Sequence, residues 1–529
     1  MTNTKRSLGW IILHLLAITS ILTNLLTGMR IATLGREDIL WFSALLPQGA
    51  LHDIHILGAI GLIAATFGYL FHHAIFEAKA GKMNIARRNW SSQYYRLVTW
   101  FGYLLVVISI ISGGLLYFDL IEAIPVATLH FYSALGFAAY LLLHGGAYFI
   151  QYGLPAIKRI LSPARAQTML NIKVVLSTLV VFLLAWLLLA REHAISLVVK
   201  HIPIDEFVTI DGVADERIWQ TTEGISVLTH GGANFIGGQT RVRIKAVENG
   251  VEAFLHISWD DPTKSLKHLP LMKTAEGWKV QQNGFHHFNE TEFYEDKLAV
   301  LWADNCELGA AGTAHLGPKP LSDEPSNWHG KGYHYTTDEV VRDLWHWKAV
   351  RTNAMYLADD NFIGKPDIER AGSRRYTAGY LQDGKESGAY VMNWKWYKPG
   401  IVVPKRLPKQ PQIIAPFQTD GDDLDWVIPW FEYEPYSSAK DIYPAGTIMP
   451  SVMYSSNRFE GDRADVRAHA VWQDGEWSLE LSRKLDTGSA YDVPLKQGVC
   501  MWVSAFDHSQ IAHTRHNQAI QLDFENNHD

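Results

Sequence analysis

The sequence predicts two domains of different class: a five-helix membrane bundle, followed by an all-β sandwich domain with long loop insertions. Two observations predict this division. Long apolar runs dominate residues 1–195, whereas short strands separated by turn residues fill residues 203–529. The chain has 529 residues, which is too long for one ordinary hydrophobic core, so its length also favours two domains.

Five segments are apolar and long enough to cross a bilayer, which takes roughly 20 residues of helix. They are residues 8–29, 52–76, 96–119, 126–152 and 173–191. The first segment follows Lys5 and Arg6, but it is too long for a typical signal peptide and has no small-residue cleavage site. We therefore interpret it as a signal anchor.

Basic residues predict the orientation of these helices. The loop after the first helix has Arg30 and Arg36 set against acidic residues, and the turn at 120–125 has no basic residue. The loops after the second and fourth helices are basic; they contain Lys79, Lys82, Arg87, Arg88, Lys158, Arg159 and Arg165. Because basic loops stay in the cytoplasm, we expect a cytoplasmic N-terminus. The β domain is then expected outside a bacterial inner membrane, in the periplasm.

Histidines lie within these apolar segments, where ionisable side chains are costly and usually functional. His14 lies in the first helix, His55 near the start of the second, and His130 and His144 in the fourth. His144 follows His130 by 14 residues, close to four helical turns. The two side chains are therefore expected on nearly the same face, about 21 Å apart along the helix axis.

The directions of the helices arrange these histidines in two pairs. The second helix runs inward, so His55 lies at the outer depth with His130, and the first runs outward, so His14 lies at the inner depth with His144. Two histidine pairs stacked across the membrane suit haem irons with two imidazole ligands.

A structural role, in which each histidine bonds a neighbouring helix, stays open. Alternative ligands are His52, His72 and His73. Glycines that serve either haem approach or helix packing are Gly58, Gly61, Gly136, Gly145 and Gly146.

This pattern resembles the membrane cytochrome b subunits of the bacterial formate dehydrogenase and nickel–iron hydrogenase group, over about residues 5–195. The resemblance rests on His14 before Gly28-Met29-Arg30, on His55 within Leu51-His52-Asp53-Ile54-His55, and on the His130 and His144 pair. It implies two haems b, an outer one held by His55 and His130 and an inner one held by His14 and His144. It also implies a quinone as an exchangeable partner.

From residue 203 onward, alternation of apolar and polar residues predicts strands. Residues 240–247 and 252–259 alternate in this way, and Asn249-Gly250 between them predicts a hairpin. Further predicted strands are residues 296–303, 467–472, 477–482 and 498–506. Residues 260–290 and 310–440 are predicted to be long irregular stretches. Asp359 and Asp360 are interpreted as a solvated acidic pair within the second stretch.

Five phrases within about residues 203–525 resemble the haem-binding domain related to the small subunit of ethylbenzene dehydrogenase. They are Ile210-Asp211-Gly212-Val213-Ala214-Asp215-Glu216 with Trp219, Trp259-Asp260-Asp261-Pro262-Thr263-Lys264, Glu276-Gly277-Trp278-Lys279, His315-Leu316-Gly317-Pro318-Lys319-Pro320 and Asp343-Leu344-Trp345-His346-Trp347-Lys348-Ala349. The first phrase also resembles the start of family-9 carbohydrate-binding modules, which share the sandwich architecture.

This second resemblance implies one further b-type haem, held by a methionine and a lysine. Met272 and Lys348 match those two ligands, and His315 or His346 are substitutes. A lysine must lose its proton before it can bind iron, and burial between Trp345 and Trp347 is expected to assist that by lowering its pKa. The alternatives are that Met272 fills the core and that Lys348 forms a surface salt bridge.

Composition argues against several other functions. The net charge of −7 gives no reason to expect nucleic acid as a partner. Only Cys306 and Cys500 occur, so thiolate zinc sites, iron–sulfur clusters and covalently attached haem are not supported; the two cysteines form one disulfide only in an oxidising compartment. Molybdopterin, flavin and nucleotide fingerprints are absent from the sequence.

The sequence therefore predicts an electron-transfer protein, or the cytochrome subunit of an oxidoreductase complex, embedded in membrane lipid. Its partners would be the quinone pool and a periplasmic redox protein or catalytic subunit. The alternative is a membrane-anchored module that binds a carbohydrate-type ligand outside the cytoplasm and has no redox role.

Overall fold

The protein divides into two compact units, one that ends at residue 193 and one that begins at residue 194. A computed structural model describes residues 8–33, 39, 45–47, 51–76, 90–118, 123–153, 155, 168–189, 194–285, 290–306, 336, 340–367, 378–382, 390–398, 400–409, 426–428, 431, 433–454, 461–516 and 518–525.

The first unit is a helical bundle. Its helices are α1 (Leu8–Ala32), α2 (Leu51–Phe76), α3 (Trp90–Tyr117), α4 (Ala123–Tyr152) and α5 (Thr168–Leu189). Each contains a segment long and apolar enough to cross a membrane, which confirms the five predicted segments. Large apolar side chains such as Leu97, Leu142 and Ile150 are exposed on the surface of this unit, as expected of helices that face lipid.

Small residues allow these helices to approach one another closely. Gly58 and Gly61 of α2 lie against Asn24 and Ser20 of α1, so that a side chain at either glycine would meet those residues. Gly136 of α4 lies against Leu105 of α3, which would be 2.6 Å from an added Cβ atom. These three glycines therefore serve helix packing. A Cβ atom at either of the two remaining glycines, Gly145 and Gly146, would meet open space.

Within the described residues, the second unit is mostly β structure and has one short α-helix, α6 (Arg217–Thr221). Its strands are β1 (Ile195–His201), β2 (Ile225–His230), β3 (Gln239–Glu248), β4 (Glu252–Asp260), β5 (Leu271–Thr274), β6 (Gly277–Val280), β7 (Lys297–Ala303), β8 (Arg342–Lys348), β9 (Asp359–Asp367), β10 (Ala378–Gln382), β11 (Tyr390–Met392), β12 (Trp394–Lys398), β13 (Ile401–Pro404), β14 (Arg406–Pro408), β15 (Val427–Ile428), β16 (Tyr433–Pro435), β17 (Ile448–Met449), β18 (Val452–Tyr454), β19 (Arg467–Gln473), β20 (Glu476–Lys484), β21 (Cys500–Phe506) and β22 (Ile520–Phe524).

Most of these strands form one twelve-stranded sheet. Its order is β10-β9-β8-β7-β21-β22-β1-β3-β4-β20-β19, with β2 paired to β3. The sheet curls until its two ends meet. Two backbone hydrogen bonds join them: the Ala358 amide donates to the Val466 carbonyl (3.0 Å), and the Ala468 amide donates to the Tyr356 carbonyl (3.0 Å). The curled sheet encloses a hydrophobic core that contains five buried tryptophans: Trp259, Trp302, Trp345, Trp347 and Trp477.

Three smaller sheets accompany it. The largest has the order β12-β13-β6-β5-β17, and the others are β11-β18-β15 and β14-β16. A disulfide joins Cys306 to Cys500, whose Cα atoms lie 5.3 Å apart. It fastens the segment that follows β7 to the first residue of β21.

The predicted combination of a helical part and a β domain is confirmed, as are the strands predicted around the Asn249-Gly250 hairpin. The prediction of long irregular stretches is wrong, because residues 260–290 contain β5 and β6, and residues 310–440 contain β8 to β16. Strand β8 escaped recognition because both of its faces are largely buried, so it lacks a regular alternation of apolar and polar residues. Its charged residues Asp343 and Lys348 are buried in ion pairs.

The interpretation of Asp359 and Asp360 as a solvated pair is also wrong. Both residues belong to β9, and they are only 6% and 0% exposed. Asp359 is ion-paired with Lys348 and Arg463. These buried charges therefore belong to the interior of the β domain.

Candidate functional site

The first candidate site is formed by His55 and His130 in the helical unit. His55 lies in the second turn of α2 and His130 in the third turn of α4. Their ring centroids are 6.2 Å apart, with 75° between the ring planes. The helices thus bring together the two histidines that the sequence predicted as the outer pair.

Two hydroxyl groups fix the protonation of these rings. His55 Nδ1 lies 2.9 Å from Thr27 Oγ1, and that hydroxyl donates its own hydrogen to the Thr23 carbonyl (2.7 Å). His130 Nδ1 lies 2.9 Å from Ser112 Oγ, and that hydroxyl donates to the Ile108 carbonyl (2.7 Å). Each hydroxyl is therefore left to accept from Nδ1–H.

A proton on Nδ1 leaves the lone pair of each neutral imidazole on Nε2. Histidines that bind metals are commonly held in this way, with the other ring nitrogen donating to a neighbouring acceptor. With Thr27 and Ser112 as acceptors of the Nδ1 protons, His55 and His130 could hold a metal through Nε2.

A glycine backs each ring of this pair. A Cβ atom at Gly28 would lie 3.0 Å from His55 Cε1, and one at Gly113 would lie 3.1 Å from His130 Cε1. Each glycine directly follows the hydroxyl residue that bonds the same histidine, as Thr27-Gly28 in α1 and Ser112-Gly113 in α3. Sequence reasoning missed Thr27, Ser112 and Gly113, although this repeated hydroxyl–glycine dipeptide was a signal that marks them.

The second candidate site is formed by His14 of α1 and His144 of α4. Their ring centroids are 6.5 Å apart. His14 Nδ1 lies 2.9 Å from the Tyr69 hydroxyl, whereas the buried His144 Nδ1 has no hydrogen-bond partner among the described residues. Aromatic rings stack on both histidines, Trp10 on His14 at 4.6 Å and Tyr140 on His144 at 5.2 Å. The structure thus brings the predicted inner pair together as well.

Both distances fit a metal bound between two imidazoles. A metal–imidazole nitrogen bond is about 2 Å long, so two imidazoles on opposite sides of one metal place their centroids roughly 6 Å apart. The observed separations of 6.2 and 6.5 Å agree with that value. Each pair therefore has the spacing that a haem iron with two imidazole ligands would need.

Lys348, predicted as a ligand in the β domain, is buried, and its ammonium group is engaged. Its Nζ atom is ion-paired with Asp359 and lies 3.1 Å from the Tyr390 hydroxyl. Although burial raises the pKa of Asp359, the charges of Lys348 and Arg463 lower it well below its usual range. Trp345 and Trp347 lie on the opposite face of β8 from Lys348, because side chains alternate along a strand. Lys348 can bind iron only after it leaves Asp359 and loses a proton.

Met272, the other predicted ligand of this domain, lies in β5 and is half-buried. Its Sδ atom is 3.9 Å from Gln281 Nε2. Met272 belongs to the five-stranded sheet and Lys348 to the twelve-stranded sheet, so the strands do not place the two side by side. His315 lies outside the described residues.

His346 offers an available nitrogen near Lys348. It lies two residues before Lys348 on the same face of β8, and its ring stacks on Phe506 at 5.5 Å. Its Nε2 atom is buried and has no hydrogen-bond partner among the described residues. Burial, reinforced by the charges of Lys348 and Lys297, lowers the pKa of His346 well below its usual value. The imidazole is therefore neutral, as a ligand must be.

Comparison with known proteins gives one family. Residues 216–518 match the model of the family described as ethylbenzene dehydrogenase, which is more than half of the chain. No curated protein matches the chain. A family-9 carbohydrate-binding module from Caldicellulosiruptor kristjanssonii in complex with glucose is 9% identical, with a TM-score of 0.22, over 63% of this chain and 98% of that one. A putative carbohydrate-binding protein from Bacteroides uniformis is 10% identical, with a TM-score of 0.23, over 63% and 99%. Scores this low support no conclusion about this chain.

Proposed function

Because this chain belongs to the ethylbenzene dehydrogenase family, we propose that it is a membrane-bound electron carrier rather than a binding module. It would pass electrons between the quinone pool and a periplasmic redox protein or catalytic subunit. Two haems b in the helical unit would be held by His55 with His130 and by His14 with His144. The resemblance of residues 5–195 to membrane cytochromes b stays a prediction. The quinone is proposed as a partner because that resemblance implies it.

The observation that carries this proposal is the arrangement of the outer pair. Thr27 and Ser112 accept from the Nδ1 atoms of His55 and His130, so both Nε2 lone pairs are available to a metal. A haem bound there would supply one-electron transfer. The protein's own groups fix the ring orientations and hold the Nδ1 protons. The spacing of His130 and His144 along α4 stacks the second pair about 21 Å from the first.

The disulfide supports the proposed location of the β domain. Disulfides persist in oxidising compartments such as the periplasm and are rare in the cytosol. The Cys306–Cys500 bond therefore agrees with the distribution of basic residues in the helix loops, which predicts an extracytoplasmic β domain. Together they support insertion in a bacterial inner membrane with the N-terminus in the cytoplasm.

For the β domain we propose a third b-type haem, as the family resemblance implies. Met272 and Lys348 remain its proposed ligands, on the condition that the lysine is released from Asp359. His346 is the substitute whose nitrogen is already neutral and unpaired among the described residues. This haem would exchange electrons with the periplasmic partner.

Haem content tests the proposal. We expect about three haems b per chain in a pyridine-haemochrome assay on the purified full chain. His130→Ala should lose one of them, because it removes a ligand of the outer pair. His52→Ala is the matched control, since it removes a neighbouring histidine of α2 and should keep all three. A wild-type chain without any haem would reject electron transfer and favour the membrane-anchored binding module.

A further inference from the structure

A short loop of the β domain, residues 231–238, holds an apolar side chain in solvent. The loop joins β2 to β3 and contains no charged residue. Phe235 is 5% exposed and belongs to the hydrophobic core, whereas the next residue, Ile236, is 78% exposed. The aromatic side chain thus anchors the loop, and the adjacent aliphatic side chain is left outside.

The backbone of this loop is held in one shape. Positive φ angles occur at four residues of the types that adopt them at least cost: Gly231, Asn234, Gly237 and Gly238. The side-chain amide of Asn234 donates to the carbonyls of Thr291 (2.9 Å) and Asp507 (3.0 Å). The loop therefore presents Ile236 in a fixed position, and it loses little conformational freedom when that side chain makes a contact.

The surface beside Ile236 is uncharged as well. The Ala233 amide donates to the Ala512 carbonyl (3.0 Å), so residues 509–512 lie against the loop. Ala233 and Ala512 are half-buried, and residues 509–512 contain no charged side chain. Two neighbouring segments thus form one small apolar surface around Ile236.

Charges of both signs stand at the edge of this surface. A Cβ atom at Gly231 would lie 3.9 Å from Nε of Arg515. The exposed Glu292 directly follows Thr291, whose carbonyl the loop binds. An apolar centre with one basic and one acidic residue at its edge suits a phospholipid surface, where acyl chains lie beneath zwitterionic headgroups.

The register of the sheet places the loop at the end of the β domain where the chain enters from the helical unit. Strand β1 runs parallel to β3, with Val199 opposite Ala246. Strand β1 begins four residues before Val199, and β3 begins seven residues before Ala246. At about 3.3 Å per residue, β3 therefore starts about 10 Å behind the start of β1. The loop precedes β3, so it extends past the first residue of β1.

The length of the connecting chain limits how far this end of the β domain lies from a membrane. Helix α5 ends at Leu189, in a segment long and apolar enough to cross a bilayer, and β1 begins at Ile195. The chain between these two residues spans at most about 22 Å, whatever its conformation. The loop extends beyond Ile195, so Ile236 is within reach of the bilayer surface.

We propose that residues 231–238 form a lipid-contact loop. Ile236, with Ala233 and Ala512 beside it, lies at the boundary between headgroups and acyl chains of the bilayer that the helices cross. An apolar side chain at that depth leaves water, which stabilises the contact. The occupant is a lipid surface because the short connection to α5 keeps this end of the β domain near the membrane. The contact does not depend on the proposed haems.

A fluorescent label at residue 236 tests the loop on the purified full chain in phosphatidylcholine nanodiscs. Cys306 and Cys500 are joined in a disulfide, so Ile236→Cys supplies a single free thiol for a nitrobenzoxadiazole label. Phe207→Cys is the matched control, since Phe207 is apolar and 85% exposed but comes after the last residue of β1.

We expect lipid with a nitroxide near its headgroup to quench the label at residue 236 at least about twofold more than the label at residue 207. Iodide in the water should quench the two labels in the opposite order. Equal quenching of both labels by the nitroxide lipid would overturn the proposal. A label at residue 236 that is shielded from iodide but not quenched by the lipid would also overturn it, because protein would then cover Ile236.

Discussion

At the scale of single residues, the hydroxyl groups beside His55 and His130 determine which ring nitrogen carries the proton. Thr27 and Ser112 each satisfy a backbone carbonyl with their own hydrogen and accept from a ring nitrogen. Sequence spacing predicted which histidines pair, because helix periodicity and direction are regular. It did not predict the hydroxyl acceptors, because a serine or threonine in a membrane helix usually bonds its own backbone.

The first prediction concerns the Ser112 hydroxyl. We expect Ser112→Ala to retain both ligands of the outer haem but to weaken its retention by about 10- to 100-fold, because the acceptor of His130 Nδ1–H is lost. The measurement is haem release to apomyoglobin from the detergent-purified chain. Thr66→Ala is the control, since Thr66 donates to the Leu62 carbonyl of its own helix (2.8 Å). Equal release from both variants would contradict a role for Ser112.

The second prediction separates the two roles of Lys348. An arginine at this position keeps a positive charge beside Asp359, but it stays protonated and cannot bind iron. We therefore expect Lys348→Arg to remain folded and to lose the haem of the β domain, measured by haem content and optical spectra. If Lys348→Arg keeps all three haems, Lys348 is an ion-pair partner only. His346→Ala would then be the variant that loses the third haem.

At the scale of secondary structure, the sequence predicted the elements that have a regular pattern of apolar residues. It missed strands such as β8, in which charged residues are buried among apolar ones. Each of the five helices contains a segment long and apolar enough to cross a membrane, which makes it easy to recognise from the sequence. In strands β3 and β4, apolar and polar residues alternate regularly on either side of the turn at Asn249. Strand β8 contains Asp343 and Lys348, which are buried only because partners from distant segments, Arg483 and Asp359, neutralise them. Sequence alone does not reveal such partners.

The third prediction concerns the disulfide that links β21 to the segment after β7. The bond closes a loop of 194 residues in the unfolded chain, so it restricts that chain considerably. We expect Cys306→Ala with Cys500→Ala to destabilise the β domain by roughly 2–5 kcal/mol. The measurement is urea unfolding followed by tryptophan fluorescence. The membrane haems should persist in the variant, because their histidines belong to the other unit. Identical unfolding curves for the variant and the wild type would count against this contribution.

At the scale of the whole molecule, buried carboxyl groups set the response of stability to pH. Burial, followed by the charge of Asp507, raises the pKa of Asp261 to about 8. Burial, with Glu216 nearby, raises the pKa of Glu480 to about 7. Both groups are protonated in the folded domain at pH values at which they ionise in the unfolded chain. The folded state then binds more protons, so their contribution to stability is lost as pH rises from about 4 through about 8.

The fourth prediction follows from this sign. Between pH 7 and pH 9 the unfolded chain keeps Asp261 ionised, whereas the folded domain must release its proton. We expect a loss of roughly 1 kcal/mol from this group over that interval, seen as a falling unfolding temperature by tryptophan fluorescence. Asp261→Asn should make the dependence less steep, because the amide does not ionise. Asp260→Asn is the matched control, since the side chain of Asp260 is 53% exposed and paired with Arg243. The opposite result would contradict this prediction: the unfolding temperature would still fall steeply with pH in Asp261→Asn, and would fall less steeply in Asp260→Asn. The exposed Asp260, and not the buried Asp261, would then be the group that titrates.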